Sequence, residues 1–298
     1  MKPLLFALPG NEAFCAKLAH AMNAETGLLE HRRFPDGETY LRFAVPCAGR
    51  AVALVCTLDQ PDAKTLALLF AARTARELGA RSTGLVAPYL AYMRQDKRFK
   101  EGEALTSDAY AGLLSGALDW LVTVDPHLHR RSSLSEIYSI RTRAVQAAPA
   151  LSAWIRQSVR EPLIIGPDSE SEQWAAEVAR ACGAPHAVMS KTRLGDRRVE
   201  IEAPPLARWK GRTPVLVDDI ISSAHTMALA AARIREAGLG APVCVGVHGL
   251  FAPDALAALN GAGVEKVVTT NTVLHESNAI DVSPLVADAI QLVQGEIR

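Results

Sequence analysis

Two adjacent carboxylates, Asp218 and Asp219, close an apolar run, and a small polar loop, Ser222-Ser223-Ala224-His225-Thr226, follows almost at once. The run TPVLVDD reads as a buried strand, and MALAAARIREAG beyond the loop has the Ala, Leu and Ile spacing of a helix packed on a sheet. The loop therefore lies where a strand ends and a helix begins. Unpaired backbone N–H groups and the positive helix end can hold a phosphate there. The acids repel that phosphate, but they can accept hydrogen bonds from sugar hydroxyls or hold a cation. A sugar phosphate, with its phosphate on the loop and its ribose over the acids, uses both features. The alternative is a strand end whose acids merely cap the next helix. Other stretches have to decide.

Five such stretches carry further chemistry. Pro35-Asp36-Gly37-Glu38 specifies a tight turn between two extended segments. It is either a plain surface hairpin or, with Phe34, Asp36 and Glu38 together, a site for adenine. In the second reading the ring stacks and the carboxylates accept from the exocyclic amine. Arg94, Lys97, Arg98 and Lys100 follow a strand end and suit a polyphosphate, although a solvated basic loop has the same composition. His127 and His129 form an HxH pair without a third ligand nearby, so a single His that orients water on magnesium or touches a phosphate fits better than a zinc site. Asp168 ends the strand in EPLIIGPDSESEQWAAEVARACG and is a candidate for magnesium held through water. Lys191 and Arg193 stand at the base of a loop rich in Gly, Asp and Arg. That loop either folds over a substrate and brings cations to developing phosphoryl charge, or is an ordinary basic hairpin.

The elements that must position these residues read as α/β. LLFALPG and NEAFCAKLAHAMNAE predict a strand and a helix capped by Asn11, and TSDAYAGLLSGAL predicts another capped helix. VALVCT, LALLFAARTARELGA and TGLVA form a strand-helix-strand unit that lines up with VLVDDI, MALAAARIREAGLGA and VCVGV. The chain is thus two related halves, the second beginning near Pro149. In the first, Cys56-Thr57 takes the place of Asp218-Asp219, so only the second is expected to hold the sugar phosphate. There is no Gly-Lys-Ser/Thr of a Walker A loop, and no GxGxxG follows a strand, so a nucleotide needs another cradle.

Composition narrows the class. A chain of 298 residues with 49% apolar and 21% charged content has the makeup of a soluble globular protein of two domains. Its 32 basic and 32 acidic residues cancel, so no global field favours nucleic acid or an anionic membrane. No apolar run reaches the roughly 20 residues that span a bilayer, and the N-terminus turns polar too soon for a secretory signal. A cytoplasmic protein is expected. The five cysteines lack CxxC spacing and read as buried thiols.

Taken together, FPDGE, PYLAYMRQDKRF, TVDPH, GPDSESEQWA, KTRLGD, VLVDDI and TNT...DVSPLVADAI resemble the ribose-phosphate diphosphokinases, or PRPP synthetases, over essentially the whole chain. RFKEGEALTSDA is closer to the archaeal-type branch. The resemblance implies two phosphoribosyltransferase-like domains, each a mainly parallel sheet flanked by helices. Residues 1–145 would contribute to ATP and residues 146–279 would bind ribose 5-phosphate, with 280–298 packing back on the first domain. It implies transfer of the diphosphoryl group of MgATP to the anomeric hydroxyl of ribose 5-phosphate, giving PRPP and AMP. By motif, Phe34, Asp36, Gly37, Glu38, Arg94 and Gln95 would bind ATP, and His127 and Asp168 would organise Mg²⁺. Lys191 and Arg193 would stabilise the transition state. Asp218, Asp219 and Ser222 through Thr226 would hold ribose 5-phosphate. A homo-oligomer is implied as well, since in that family the FPDGE turn reaches the ATP of a neighbouring subunit.

Two departures accompany the resemblance. The sugar-phosphate loop has no glycine, which predicts strain at His225 if that residue takes a positive φ, and GPDSESE is acidic where many relatives have a glycine pair. The competing readings are a phosphoribosyltransferase consuming PRPP, which leaves FPDGE and RQDKRF unexplained, and a catalytically silent partner of an active synthetase.

Overall fold

A computed structural model gives the fold and describes residues 2–193 and 199–296, apart from the side chains of 191–200. The chain divides into two compact units, one of Met1–Val145, Thr272–Leu274 and Val282–Arg298, the other of Gln146–Asn271 and His275–Asp281.

The first unit opens with β1 (Leu4–Ala7), α1 (Glu12–Met22) and β2 (Thr26–Gly27). A hairpin of β3 (Leu29–Arg33) and β4 (Thr39–Phe43) follows, then β5 (Ala51–Val55), α2 (Pro61–Glu77), β6 (Ser82–Ala87), α3 (Thr106–Ala117), β7 (Trp120–Val124) and β8 (Arg141–Val145). Six strands form one parallel sheet in the order β2-β1-β5-β6-β7-β8. The β-branched and aliphatic runs of β5 and β6 are buried along their whole length, as strands covered on both faces must be. Gly84 of β6 pairs with Trp120 of β7, and a Cβ on it would lie 1.9 Å from the indole, so the bare backbone makes room for the largest buried side chain.

The second unit repeats this plan. After α4 (Ala148–Ser158) come β9 (Pro162–Gly166), α5 (Glu172–Cys182) and β10 (His186–Val188), then a hairpin of β11 (Ser190–Arg193) and β12 (Val199–Glu202). β13 (Thr213–Ile221), α6 (His225–Glu236), β14 (Val243–Gly249), α7 (Ala255–Gly261), β15 (Lys266–Thr270) and β16 (Asn278–Ile280) complete it. Its parallel sheet has the order β10-β9-β13-β14-β15-β16, which is the order of the first sheet strand for strand. Each unit also inserts its hairpin at the same point, between the edge strand and the third strand in sequence. The β3–β4 and β11–β12 hairpins are therefore topological counterparts. The last helix, α8 (Ser283–Gly295), belongs to the first unit and packs on α1, β7 and β8.

Two expected caps differ from the structure. Asn11 precedes α1 but makes no side-chain cap; its Oδ1 accepts the Thr57 N–H at 2.7 Å, and its Nδ2 donates to the Leu8 and Pro9 carbonyls. Leu105, not a polar residue, precedes α3, whose first residue Thr106 donates its hydroxyl to Gln95 Oε1 at 3.0 Å. In both cases a long-range partner outbids the local backbone. No helix among the described residues is long and apolar enough to cross a membrane. All five cysteines are free thiols.

Candidate functional site

In the second unit β9 and β13 are parallel neighbours, so their carboxyl ends, carrying Asp168 and the Asp218-Asp219 pair, share one edge of the sheet. Asp218 stands opposite Gly246 of β14. A Cβ on Gly246 would meet Ile221 Cδ1 at 2.6 Å, so the glycine leaves space for Ile221, which is buried and closes the loop from beneath. The Asp219 N–H donates to Asp218 Oδ1 at 3.0 Å. Burial first, then the like charges of Asp219 and Asp168, pushes the Asp218 carboxyl well above the ordinary carboxylate value. The same carboxyl, together with burial as the main cause, holds the Cys244 thiol behind it up at about 12. Asp218 thus lies beside two further carboxylates whose charge opposes its own, which is the electrostatic condition that a cation or a row of hydroxyl donors relieves.

Asp168 also caps a turn, a duty that the sequence left open for Asp218 and Asp219 only as the alternative to sugar-phosphate binding. Its Oδ1 accepts the Glu170 N–H at 3.1 Å, and its own N–H donates to Ser171 Oγ at 3.4 Å, a capping box over the turn Ser169–Ser171 that leads into α5. A Cβ on Gly166 would lie 2.5 Å from Ser171 Oγ, so glycine at the end of β9 is what admits this box. Asp218 and Asp219 cap nothing, because α6 has no side-chain cap.

The start of α6 is open instead. His225 is its first residue, Ala224 precedes it, and α6 carries no acid in its first turn and Arg233 and Arg235 in its last. Among the described residues the hydroxyls of Ser222, Ser223 and Thr226 make no hydrogen bond within the protein, and His225 is exposed. Free N–H groups, free hydroxyls and a helix dipole of the right sign together make an anion site. The condition for strain at His225, a positive φ, is not met: Ala224 takes it, at 57°, and His225 is helical. A helix needs a right-handed first residue, so the reversal falls on the residue just before it. The smallest chiral side chain sits there, and its methyl is buried in the core beneath α6, which offsets part of a backbone cost of about 1–2 kcal/mol.

Lys191 and Arg193 lie on β11, opposite Ile201 and Val199 of β12. Their side chains, and residues 194–198 of the loop, lie outside the described residues.

In the first unit the FPDGE turn closes the β3–β4 hairpin. The Phe34 N–H donates to the Glu38 carbonyl at 2.8 Å, the Gly37 N–H to the Phe34 carbonyl at 2.9 Å, and the Glu38 N–H to Asp36 Oδ1 at 3.1 Å. Gly37 takes a φ of 93°, which a side chain would strain. Phe34 remains 38% exposed, a large ring with no core to fill. In the basic loop Arg94 is exposed and has no partner among the described residues, whereas Arg98 Nε donates to the Glu103 carbonyl at 2.8 Å and Asp96 pairs with Arg130 at 2.8 Å. Beyond β7 the chain turns twice through left-handed conformations, at Asp125 (φ 32°) and His127 (φ 55°). That brings His129 Nε2 to 3.1 Å from His127 Nδ1, so one ring donates to the other.

The end of β5 shows what became of the first unit's counterpart of the acid loop. Thr57 receives Asn11 on its N–H, accepts the Tyr89 N–H on its hydroxyl at 3.1 Å, donates that hydroxyl to the Thr272 carbonyl, and offers its own carbonyl to Lys64 at 3.0 Å. The position is 5% exposed. The protein itself fills the place where the second unit keeps open donors. Nothing in the sequence near Thr57 signals this, since three of its four partners, Asn11, Tyr89 and Thr272, come from distant segments.

A doubly repeated parallel sheet with acids and an open helix start at the carboxyl edge defines a phosphoribosyltransferase-type protein, and residues 133–284 match the family model described as phosphoribosyl transferase domain. Residues 3–117 match the N-terminal domain of ribose phosphate pyrophosphokinase. The chain is 34% identical over 281 residues to the ribose-phosphate pyrophosphokinase of Methanopyrus kandleri, covering 94% of this chain and 95% of that one. It is 32% identical to that of Methanothermobacter thermautotrophicus, covering 97% and 100%. The fold is also that of the crystal structure of phosphoribosylpyrophosphate synthetase from Mycobacterium smegmatis, with a TM-score of 0.84, 23% identity, and coverage of 99% and 100%. The chain belongs to the ribose-phosphate pyrophosphokinase family.

Proposed function

We propose that the chain transfers the diphosphoryl group of MgATP to the anomeric hydroxyl of ribose 5-phosphate, giving PRPP and AMP. The observation that carries this reading is the pairing, at the end of β13, of a desolvated Asp218 and its neighbour Asp219 with an uncapped helix start that has three free hydroxyls. Family membership supports it. Ser222 through Thr226 take the 5-phosphate, and Asp218 and Asp219 accept from the ribose hydroxyls. Phe34, Asp36, Gly37 and Glu38 recognise adenine, and Arg94 and Gln95 contact the polyphosphate. Residues 1–145, with 280–298, thus serve the nucleotide, and 146–279 the pentose.

Magnesium fits this chain's donors, because Asp218 is crowded by two further carboxylates whose repulsion a divalent cation would lift. His127 and Asp168 would hold it through water. When bound it neutralises charge on the phosphate oxygens. Lys191 and Arg193 bring fixed positive charge to the oxygens on which negative charge grows, and the β11–β12 hairpin that carries them excludes water. Little covalent help is required of the protein; alignment of the hydroxyl with the β-phosphorus supplies most of the acceleration. Self-association follows in this reading, because the FPDGE hairpin serves the ATP of an adjoining copy.

Incubation with ATP, magnesium and ribose 5-phosphate tests the proposal. One AMP is expected per sugar consumed, and none without the sugar. A phosphoribosyltransferase would release nothing from ATP, and release of ADP would also contradict the proposal.

A further inference from the structure

The aromatic ring at the FPDGE turn has no core to hold it, yet it is held. Phe34 directly follows β3, two residues beyond Arg32, and Arg32 pairs across the hairpin with Tyr40. The Arg32 guanidinium carbon lies 4.4 Å from the centroid of the Phe34 ring and 4.4 Å from that of Tyr40. The two rings meet edge to face at 6.4 Å. Among the described residues Arg32 makes no hydrogen bond or ion pair, so the two aromatic faces alone fix its head. Its neighbour Arg33 turns elsewhere, donating to the Ala63 carbonyl at 3.1 Å.

We infer that Arg32, backed by Tyr40, is a positioning residue for the nucleotide: it occupies one face of Phe34, fixes the ring's rotamer, and leaves the opposite face as the platform on which a purine stacks. The inference rests on the function proposed above. Three features carry it. The turn's backbone is closed by its own hydrogen bonds, so only the ring is left to be ordered. Phe34 is exposed, so no packing orders it. A cation over two rings is a preference strong enough to concentrate one rotamer in water. Ordering the platform before binding removes that cost from the nucleotide's affinity. The site is specific for a flat aromatic ligand and indifferent to the sugar phosphate.

A double-mutant cycle on the full-length protein tests this. Arg32→Ala is expected to raise the KM for MgATP and its calorimetric Kd about three- to tenfold, with kcat and the KM for ribose 5-phosphate within about twofold. Arg32→Lys, which keeps a cation on a shorter reach, should recover part of the loss. In a Phe34→Ala background Arg32→Ala should cost nothing further. An undiminished effect in that background, or an unchanged KM for MgATP in Arg32→Ala, overturns the positioning role while leaving the proposed reaction intact. A parent protein that neither binds MgATP nor releases AMP overturns both.

Discussion

Asp218 binds its proton more tightly in the folded protein than an exposed carboxyl would, because burial and two neighbouring acids oppose its charge. A raised folded value means that the native state holds more protons than the unfolded chain from the ordinary value, 3.8, up to the raised one, so stability falls as pH climbs through that window. Asp218→Asn removes the charge and is expected to gain on the order of 1 kcal/mol at about pH 8, roughly 2–4 °C in thermal unfolding, and less at about pH 5. The same change should weaken ribose 5-phosphate binding by about tenfold or more. Equal gains at both pH values, or a loss at the higher one, would contradict the electrostatic account. From sequence this acid pair and the loop after it stood out as a candidate site, with helix capping left open as the alternative; α6 has no side-chain cap. What could not be read was which acid caps a helix: Asp168 does so through Glu170 and Ser171, and that depends on how Gly166 lets the chain turn. Lys191→Ala should lower kcat by about a hundredfold or more and leave MgATP binding in place; a near-normal rate would remove the catalytic role.

At the scale of elements, the junction of β13 and α6 is the part where local rules and the structure part company. The strand and helix were plain from their periods, but the missing glycine hid the reversal, which falls on Ala224 rather than His225. A β-branched residue at that φ is costly, so Ala224→Val should destabilise by about 2 kcal/mol or more. Ala224→Gly should change little, since the relief of about 1 kcal/mol is set against the lost burial of a methyl worth about 0.8 kcal/mol. Urea unfolding checks the pair, and a valine variant as stable as the glycine variant would show that the backbone there is not what it is described to be. Hairpin β3–β4 was readable from Pro-Asp-Gly alone. That it corresponds to β11–β12 was not, because correspondence lies in the place of insertion and not in composition.

At the scale of the whole chain, two sheets of identical strand order carry one open site and one closed one. The repeat was visible in VALVCT and VLVDDI, and so was the swap of Asp-Asp for Cys-Thr between the halves. The closure itself was out of reach, since Thr57 is tied to Asn11, Tyr89, Thr272 and Lys64 from across the first unit. In the proposed function the two copies divide the labour, the filled one serving the nucleotide and the open one the pentose, so a single unit would not suffice. The most direct test follows the β-phosphorus. With ATP labelled there, the account predicts that the label leaves with the pentose product in step with AMP release, and that Asp218→Asn with Asp219→Asn suppresses both. Label that stays in ADP, or reaches free diphosphate without entering the sugar, would contradict it.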